Sequence, residues 1–154
     1  MGRLYRTWRE SRGKRLPAEA YAAAAPVHVT LSTKNRKAWF ACADLAVLVF
    51  EPVHDHPETL AACLMPDHLH WLLSNAATMS RTVGAMKSWT TRRFWERGID
   101  VPVWQRSYYD RVVRSHEDLV EIARYLVANP VRAGLVERVD AYPFQVIYED
   151  RLGA

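Results

Sequence analysis

The chain has only two cysteines, Cys42 and Cys63, each inside an apolar run and without C-x-x-C spacing. That argues against a disulfide framework or a thiolate zinc site and leaves two buried free thiols as the expectation. Long apolar runs are also missing. Ala38 to Phe50 is interrupted by Asp44, Leu60 to Met65 is far too short to span a bilayer, and the N-terminus opens on arginines rather than an apolar h-region. A soluble, cytoplasmic protein with no membrane partner is expected. Acidic residues are nearly absent from the start: residues 1–15 set Arg3, Arg6, Arg9, Arg12, Lys14 and Arg15 against Glu10 alone, whereas the whole chain carries only +4. The positive excess therefore belongs to an arm. Interleaved with Tyr5 and Trp8, such an arm suits an anionic polymer such as nucleic acid, and it equally suits a solubilising tail.

What is present is enough for one core. With 154 residues, 49% of them hydrophobic, the chain fits a single domain. Its centre is Met65-Pro66-Asp67-His68-Leu69-His70-Trp71-Leu72-Leu73. Two short apolar strands, at roughly 59–65 and 68–74, flank the turn residues Pro66-Asp67 and read as a β-hairpin. Strand alternation puts His68 and His70 on one face and Leu69, Trp71 and Leu73 on the other, toward a core. Two imidazoles side by side on a rigid strand are a common way to hold a divalent metal.

Around the hairpin, Val27 to Ser32 alternates as a first strand, with His28, Thr30 and Ser32 on one face. Lys34 to Lys37 reads as a solvated basic loop, and Ala38 to about Phe50 as a first helix. His54-Asp55-His56 is a second H-x-H, but Pro52 and Pro57 flank it, so it is expected in a polar loop. A helix from Thr78 or Ser80 to about Arg97 presents Arg81, Lys87, Arg92, Arg93 and Arg97 against Glu96 alone. Val103 to Val113, rich in aromatic and β-branched residues and carrying Arg106, predicts a further strand. Ser115-His116-Glu117-Asp118 resembles a capping box opening a helix that Pro130 ends near Asn129. One stripe of that helix is apolar; another carries Asp118, Glu121, Tyr125 and Asn129.

These parts allow one chemistry. A phenol ionises near pH ~10 and is a weak nucleophile unless its target is polarised. A metal held by His68 and His70 would polarise a phosphodiester for attack by Tyr125, and the side-chain oxygen of Asn129, one helical turn on, would complete the metal site. Each residue also has an ordinary structural role open to it: a half-buried helix tyrosine, a helix-end asparagine before proline, a histidine pair on a solvent-facing strand. Tyr108 and Tyr109 are alternative nucleophiles. Tyr125 is preferred because a helix fixes its offset from Asn129.

Met65-Pro66-Asp67-His68-Leu69-His70, followed by Tyr125-Leu126-Val127-Ala128-Asn129-Pro130-Val131-Arg132-Ala133-Gly134-Leu135-Val136, resembles the REP-associated tyrosine transposases, a single-copy branch of the IS200/IS605-type Y1 transposases of the HUH superfamily. Val103 to Asp110 and Tyr142-Pro143-Phe144 also resemble that family, so the likeness runs from Val27 to about Tyr148. The resemblance implies an α/β (α+β), ferredoxin-like domain with an antiparallel sheet, expected over residues 26–148 between a basic arm and linker (1–25) and a short C-terminal tail (149–154). It implies Mg²⁺ or Mn²⁺ on His68 and His70 with help from Asn129. It further implies that Tyr125 attacks single-stranded DNA to give a 5′-phosphotyrosine and a free 3′-hydroxyl, making the chain a DNA-cleaving and DNA-joining transposase. The implied partner is single-stranded DNA with imperfect palindromic hairpins, gripped by basic side chains. Those available are Arg3, Arg6, Arg9, Arg12, Lys14, Arg15, Arg81, Lys87, Arg92, Arg93, Arg106 and Arg132. Bound to DNA, the protein would sit on the bacterial nucleoid, as a monomer or homodimer. The competing expectation is a catalytically silent, domesticated protein that binds structured single-stranded DNA.

Overall fold

The Val-His-Val-Thr-Leu-Ser alternation forms strand β1 (Val27–Ser32), and the two central apolar runs form the antiparallel hairpin β2 (Thr59–Met65) and β3 (His68–Leu73). The computed structural model describes residues 24–153 and adds α1 (Ala43–Asp55), α2 (Met79–Trp95), β4 (Tyr109–Val112), α3 (His116–Val127), the single turn α4 (Asn129–Arg132) and β5 (Gln145–Ile147). The sheet is antiparallel throughout, in the order β4-β1-β3-β2-β5. A β-α-β-β-α-β succession with spatial order 4-1-3-2 is the expected ferredoxin-like arrangement, here widened by β5.

The sheet is covered on both faces. Val27, Val29 and Leu31 of β1 and Leu69, Trp71 and Leu73 of β3 meet Ala46, Val49 and Val53 of α1 and Met79, Val83 and Phe94 of α2. On the opposite face the α3 stripe Leu119, Ile122, Ala123, Leu126 and Val127 packs against Ala61, Cys63 and Leu72. Leu152, in the segment expected as a tail, is buried in that second cluster. This double cover brings His28, Thr30, Ser32 and His70 inside the molecule, where polar side chains must find partners. The histidine face is thus an interior face rather than a wet one.

Several expected boundaries move. Helix α1 starts five residues late, after a 3₁₀ turn at Trp39–Ala41, and continues through Pro52 to Asp55. Pro52 removes one backbone donor, yet Ala46, Val49, Phe50 and Val53 stay buried along the core side, and that packing carries the helix past it. His54 and Asp55 are therefore the last helical turn and not a loop; His54 Nδ1 pairs with Asp55 Oδ1 at 2.8 Å and its ring packs on Tyr148. The strand expected over 103–113 shrinks to Tyr109–Val112, with Trp104 making only an isolated bridge to Thr33. Cys63 is buried as expected, but Cys42, at the start of α1, is exposed.

Candidate active site

Alternation along β3 sets the imidazoles of His68 and His70 beside each other, with ring centroids 4.9 Å apart and planes at 84°. Both have Nδ1 engaged. His68 Nδ1 lies 2.7 Å from Asp67 Oδ1, and Asp67 is held in turn by Arg36 Nε at 3.0 Å. The carboxylate accepts the Nδ1–H, which directs the Nε2 lone pair of His68 outward, the arrangement by which second partners orient metal-binding histidines. Arg36 also donates to Ser32 Oγ at 3.2 Å, and it does so from a left-handed backbone, φ 57° at Asn35 and 55° at Arg36. Non-glycine residues adopt that conformation rarely. The basic loop expected to be merely solvated is instead shaped to reach Asp67. His70 Nδ1 lies 3.1 Å from His28 Nε2 and 3.3 Å from Thr30 Oγ1.

Electrostatics keep these rings neutral. Burial lowers the pKa of His28 to about 4, helped by the charge of Arg111. Burial also holds His70 well below its ordinary value, with His28, His68 and Arg132 adding to the effect. His68 is lowered because burial outweighs the opposing pull of Asp67. For Asp67, burial pushes upward, but the bonds and charges of His68 and Arg36 win and its pKa falls. Neutral imidazoles are the form a metal takes.

The same shifts make stability depend on acid. The unfolded chain takes up histidine protons near pH 6.5, whereas folded His28 refuses its proton until about pH 4, so stability falls as pH drops through that window. From pH 7.5 to 5, His28 alone is expected to cost about 2 kcal/mol. Urea melts at the two pH values check this. His28→Gln should lose clearly less on acidification than the wild type, and equal losses would contradict the assignment.

Tyr125 lies on α3, which begins at a genuine cap: Ser115 Oγ accepts from the Asp118 backbone N–H at 3.1 Å. After Ala128 the chain turns directly into α4. Pro130 sits in its first turn, where the missing N–H goes unused, and Gly134 closes it at φ 74°, with Gly134 N–H on Val131 O (3.0 Å) and Leu135 N–H on Pro130 O (2.9 Å). The Asn-Pro-Val-Arg-Ala-Gly-Leu run is thus a tight reversal, and what it delivers is Arg132. The Arg132 guanidinium lies 3.5 Å from the centroid of the Tyr125 ring, and its Nη2 donates to Tyr125 O at 2.9 Å and Asn129 Oδ1 at 2.6 Å. Asn129 Nδ2 is buried with no hydrogen-bond partner. Arg132 is also close enough to disfavour protonation of His70 and to stabilise the thiolate of Cys63, the residue opposite His70 on β2. Burial nonetheless dominates at Cys63 and pushes its thiol up to about 12, so it stays protonated and inert. Arg132 thus contacts both Tyr125 and Asn129, and its charge is felt at His70. Tyr125 borders a groove of about 550 Å³ along α3, shared with His116, Glu121, Arg124 and Arg132.

Among the described residues no group of three His, Cys, Asp or Glu side chains is placed to hold a metal. The fit of a divalent ion therefore rests on two neutral, oriented imidazoles and an amide oxygen. These are donors that Mg²⁺ or Mn²⁺ accepts when water and phosphate oxygens fill the other positions. Asn129 Oδ1 already takes the Arg132 bond, so its second lone pair is the one left for an ion. His68, His70 and Asn129 are the side chains that could hold such an ion.

The basic residues divide. Arg3, Arg6, Arg9, Arg12, Lys14 and Arg15 lie outside the described residues. Lys87, Arg92 and Arg106 line one groove of about 790 Å³ with Trp95 and Trp104, between α2 and the segment before β4. Arg92, Arg106 and Trp95 are exposed there, while Lys87 donates to Gln105 O at 2.8 Å. Arg81 is exposed on α2 outside that groove. Arg93 is committed to Glu96 at 2.7 Å and stacks on Trp89 at 4.0 Å. His28, Arg36 and Asp67 had no place among the expected site residues. Only the shared face of His28, Thr30 and Ser32 hinted at one of them.

Comparison with known proteins decides the family. The model of the IS200-like transposases matches residues 22–129, which include the hairpin and all of α3. The chain belongs to that family. This IS200-like chain is 29% identical over 110 residues to a candidate REP-associated tyrosine transposase of Haemophilus influenzae, the match covering 60% of each. It thus spans about 60% of the length of that curated relative. Among solved structures, a REP-associated tyrosine transposase bound to a REP hairpin superposes with a TM-score of 0.67 at 23% identity, covering 88% of this chain and 81% of that one. A transposase-like protein of Deinococcus radiodurans gives a TM-score of 0.47 at 23% identity, covering 73% of this chain and 94% of that one. The REP-bound structure shares the fold described above. No helix among the described residues is long and apolar enough to cross a membrane.

Proposed function

We propose that the chain is a REP-associated transposase that cuts and rejoins single-stranded DNA at hairpin-forming palindromic repeats. His68 and His70 would hold Mg²⁺ or Mn²⁺ with Asn129 assisting, and such an ion would supply Lewis-acid polarisation of the scissile phosphodiester. The Tyr125 hydroxyl oxygen forms a bond to phosphorus as the bond to the 3′ oxygen breaks; the phenolic proton is lost and the leaving strand gains a 3′-hydroxyl. The 5′ end stays on Tyr125 as a phosphodiester. Attack by the 3′-hydroxyl of an acceptor strand reverses the step and joins the strands. Asp67 and Arg36 keep His68 in register, and Arg132 orients Tyr125 and Asn129 together.

The observation that carries this reading is Arg132, which touches both Tyr125 and Asn129 while its charge is felt at His70. This supports a site in which Tyr125 and Asn129 act beside the histidine pair. Incubation with Mn²⁺ and a 3′-labelled hairpin oligonucleotide should trap a denaturation-resistant labelled adduct that EDTA prevents; no adduct under any metal would refute the proposal. A catalytically silent binder is favoured only by the commitment of Asn129 Oδ1 to Arg132. It predicts tight, salt-dependent binding that survives His68→Ala combined with Tyr125→Phe, in a protein that never cuts. For either reading, Arg92→Ala with Arg106→Ala should weaken single-strand binding about tenfold or more and flatten its salt dependence by about two phosphate contacts. Fluorescence anisotropy across a salt series reads both.

A further inference from the structure

We infer that His28 is a positioning residue for His70: its Nε2 accepts the hydrogen bond of His70 Nδ1–H and so fixes the tautomer in which His70 Nε2 carries the lone pair for a metal. The inference rests on the proposed metal-binding role of His70 and adds a residue to it. Register explains how the two meet. Thr30 is directly opposite His70 in the β1–β3 ladder and His28 is opposite Leu72, so His28 is the diagonal neighbour of His70 on the same face. The rings lie 5.3 Å apart between centroids at 31°, the facing nitrogens are 3.1 Å apart, and both residues are buried, at 3% and 6% exposure.

The direction of the bond follows from counting protons. A neutral imidazole has one N–H and one lone pair. If His28 donated from Nε2, the proton of His70 would have to sit on its Nε2, and that nitrogen could not coordinate. Only the opposite sense leaves it open to an ion, and it requires His28 to carry its own proton on Nδ1. Thr30 Oγ1, at 3.3 Å from the same His70 nitrogen, can accept from it as well, but a hydroxyl rotates and accepts or donates alike, whereas a ring packed at 3% exposure is fixed. His68 has a charged counterpart in Asp67. His70 has a neutral one in His28, on a strand that the metal-binding motif does not include. Outer partners of this kind commonly matter 10–100-fold in metal affinity.

The test uses the full chain with ¹⁵N-labelled histidine. Long-range ¹H–¹⁵N correlation at pH 7, without metal, should show His70 as the Nδ1–H tautomer in the wild type and as a mixture in His28→Phe. Mn²⁺ titration followed by electron paramagnetic resonance should show affinity about 10–100-fold weaker in His28→Phe and within a few fold of wild type in His28→Gln, whose amide oxygen can still accept. Melting curves confirm that each variant is folded, and the wild-type tautomer needs no variant. A wild-type His70 protonated on Nε2 would overturn the inference, as would equal Mn²⁺ affinity in wild type and folded His28→Phe. Failure of the wild type itself to bind Mn²⁺ would instead remove the metal reading on which the inference stands, and the inference with it.

Discussion

Tyr125→Phe is expected to abolish the covalent protein–DNA adduct and to lower strand cleavage by at least ~10³-fold, because it removes the only oxygen on that ring able to attack phosphorus. The variant isolates the hydroxyl. Arg132 stacks on the face of the ring at 3.5 Å and donates to the backbone carbonyl of residue 125, and both contacts survive in phenylalanine. Binding of a hairpin oligonucleotide and the melting temperature should therefore stay near wild type, with a stability change below about 1 kcal/mol. Denaturing gels with labelled DNA measure the adduct, and anisotropy measures binding. Adduct formation undiminished in this variant would assign the nucleophile elsewhere, with Tyr108 and Tyr109 the first residues to test.

The second large effect belongs to the histidine pair. His68→Ala and His70→Ala should each weaken Mn²⁺ binding by more than ~100-fold, since each removes one of the two imidazole ligands and a single imidazole with an amide oxygen is a poor site. Both should block adduct formation without preventing DNA binding. The two variants should differ in stability. His70 is 6% exposed and bonded to His28, so its removal opens a cavity and breaks a buried hydrogen bond, whereas His68 is partly exposed and its partner Asp67 keeps Arg36. Asp67→Ala should fall between wild type and His68→Ala in metal affinity, as expected for loss of an orienting carboxylate. Isothermal titration with Mn²⁺ ranks all of them; wild-type affinity in His68→Ala would refute the assignment.

The legible part of this molecule was local in the chain. Alternation in residues 68–73 placed Leu69, Trp71 and Leu73 in the core and the two histidines opposite, and the helical stripe through Leu119, Ile122, Ala123 and Leu126 found its sheet. The ferredoxin-like fold was implied by the family resemblance, with which the succession of strands and helices agreed. What stayed hidden depended on pairing between distant segments. His28 becomes part of the site only because β1 lies beside β3, and Arg36 only because a left-handed turn swings it onto Asp67. Pro52 and the aromatic run before β4 misled for a related reason. Packing carried α1 through its proline, and 103–108 meets the end of β1 only through an isolated bridge between Trp104 and Thr33 and the bonds Lys34 N–H to Val103 O and Gln105 N–H to Ser32 O. Asn129, expected at the end of the Tyr125 helix, instead opens α4, and its side-chain oxygen accepts from Arg132, a contact made by the reversal at Pro130 and Gly134.

Peptide mapping of the trapped DNA adduct tests the central claim most directly. After protease and nuclease digestion, mass spectrometry should find the nucleotide remnant on the peptide containing Tyr125, attached through phosphate to its phenolic oxygen, and on no other tyrosine. A remnant on Tyr108 or Tyr109, or wild-type protein that binds the hairpin with metal present and carries no remnant at all, would contradict the account.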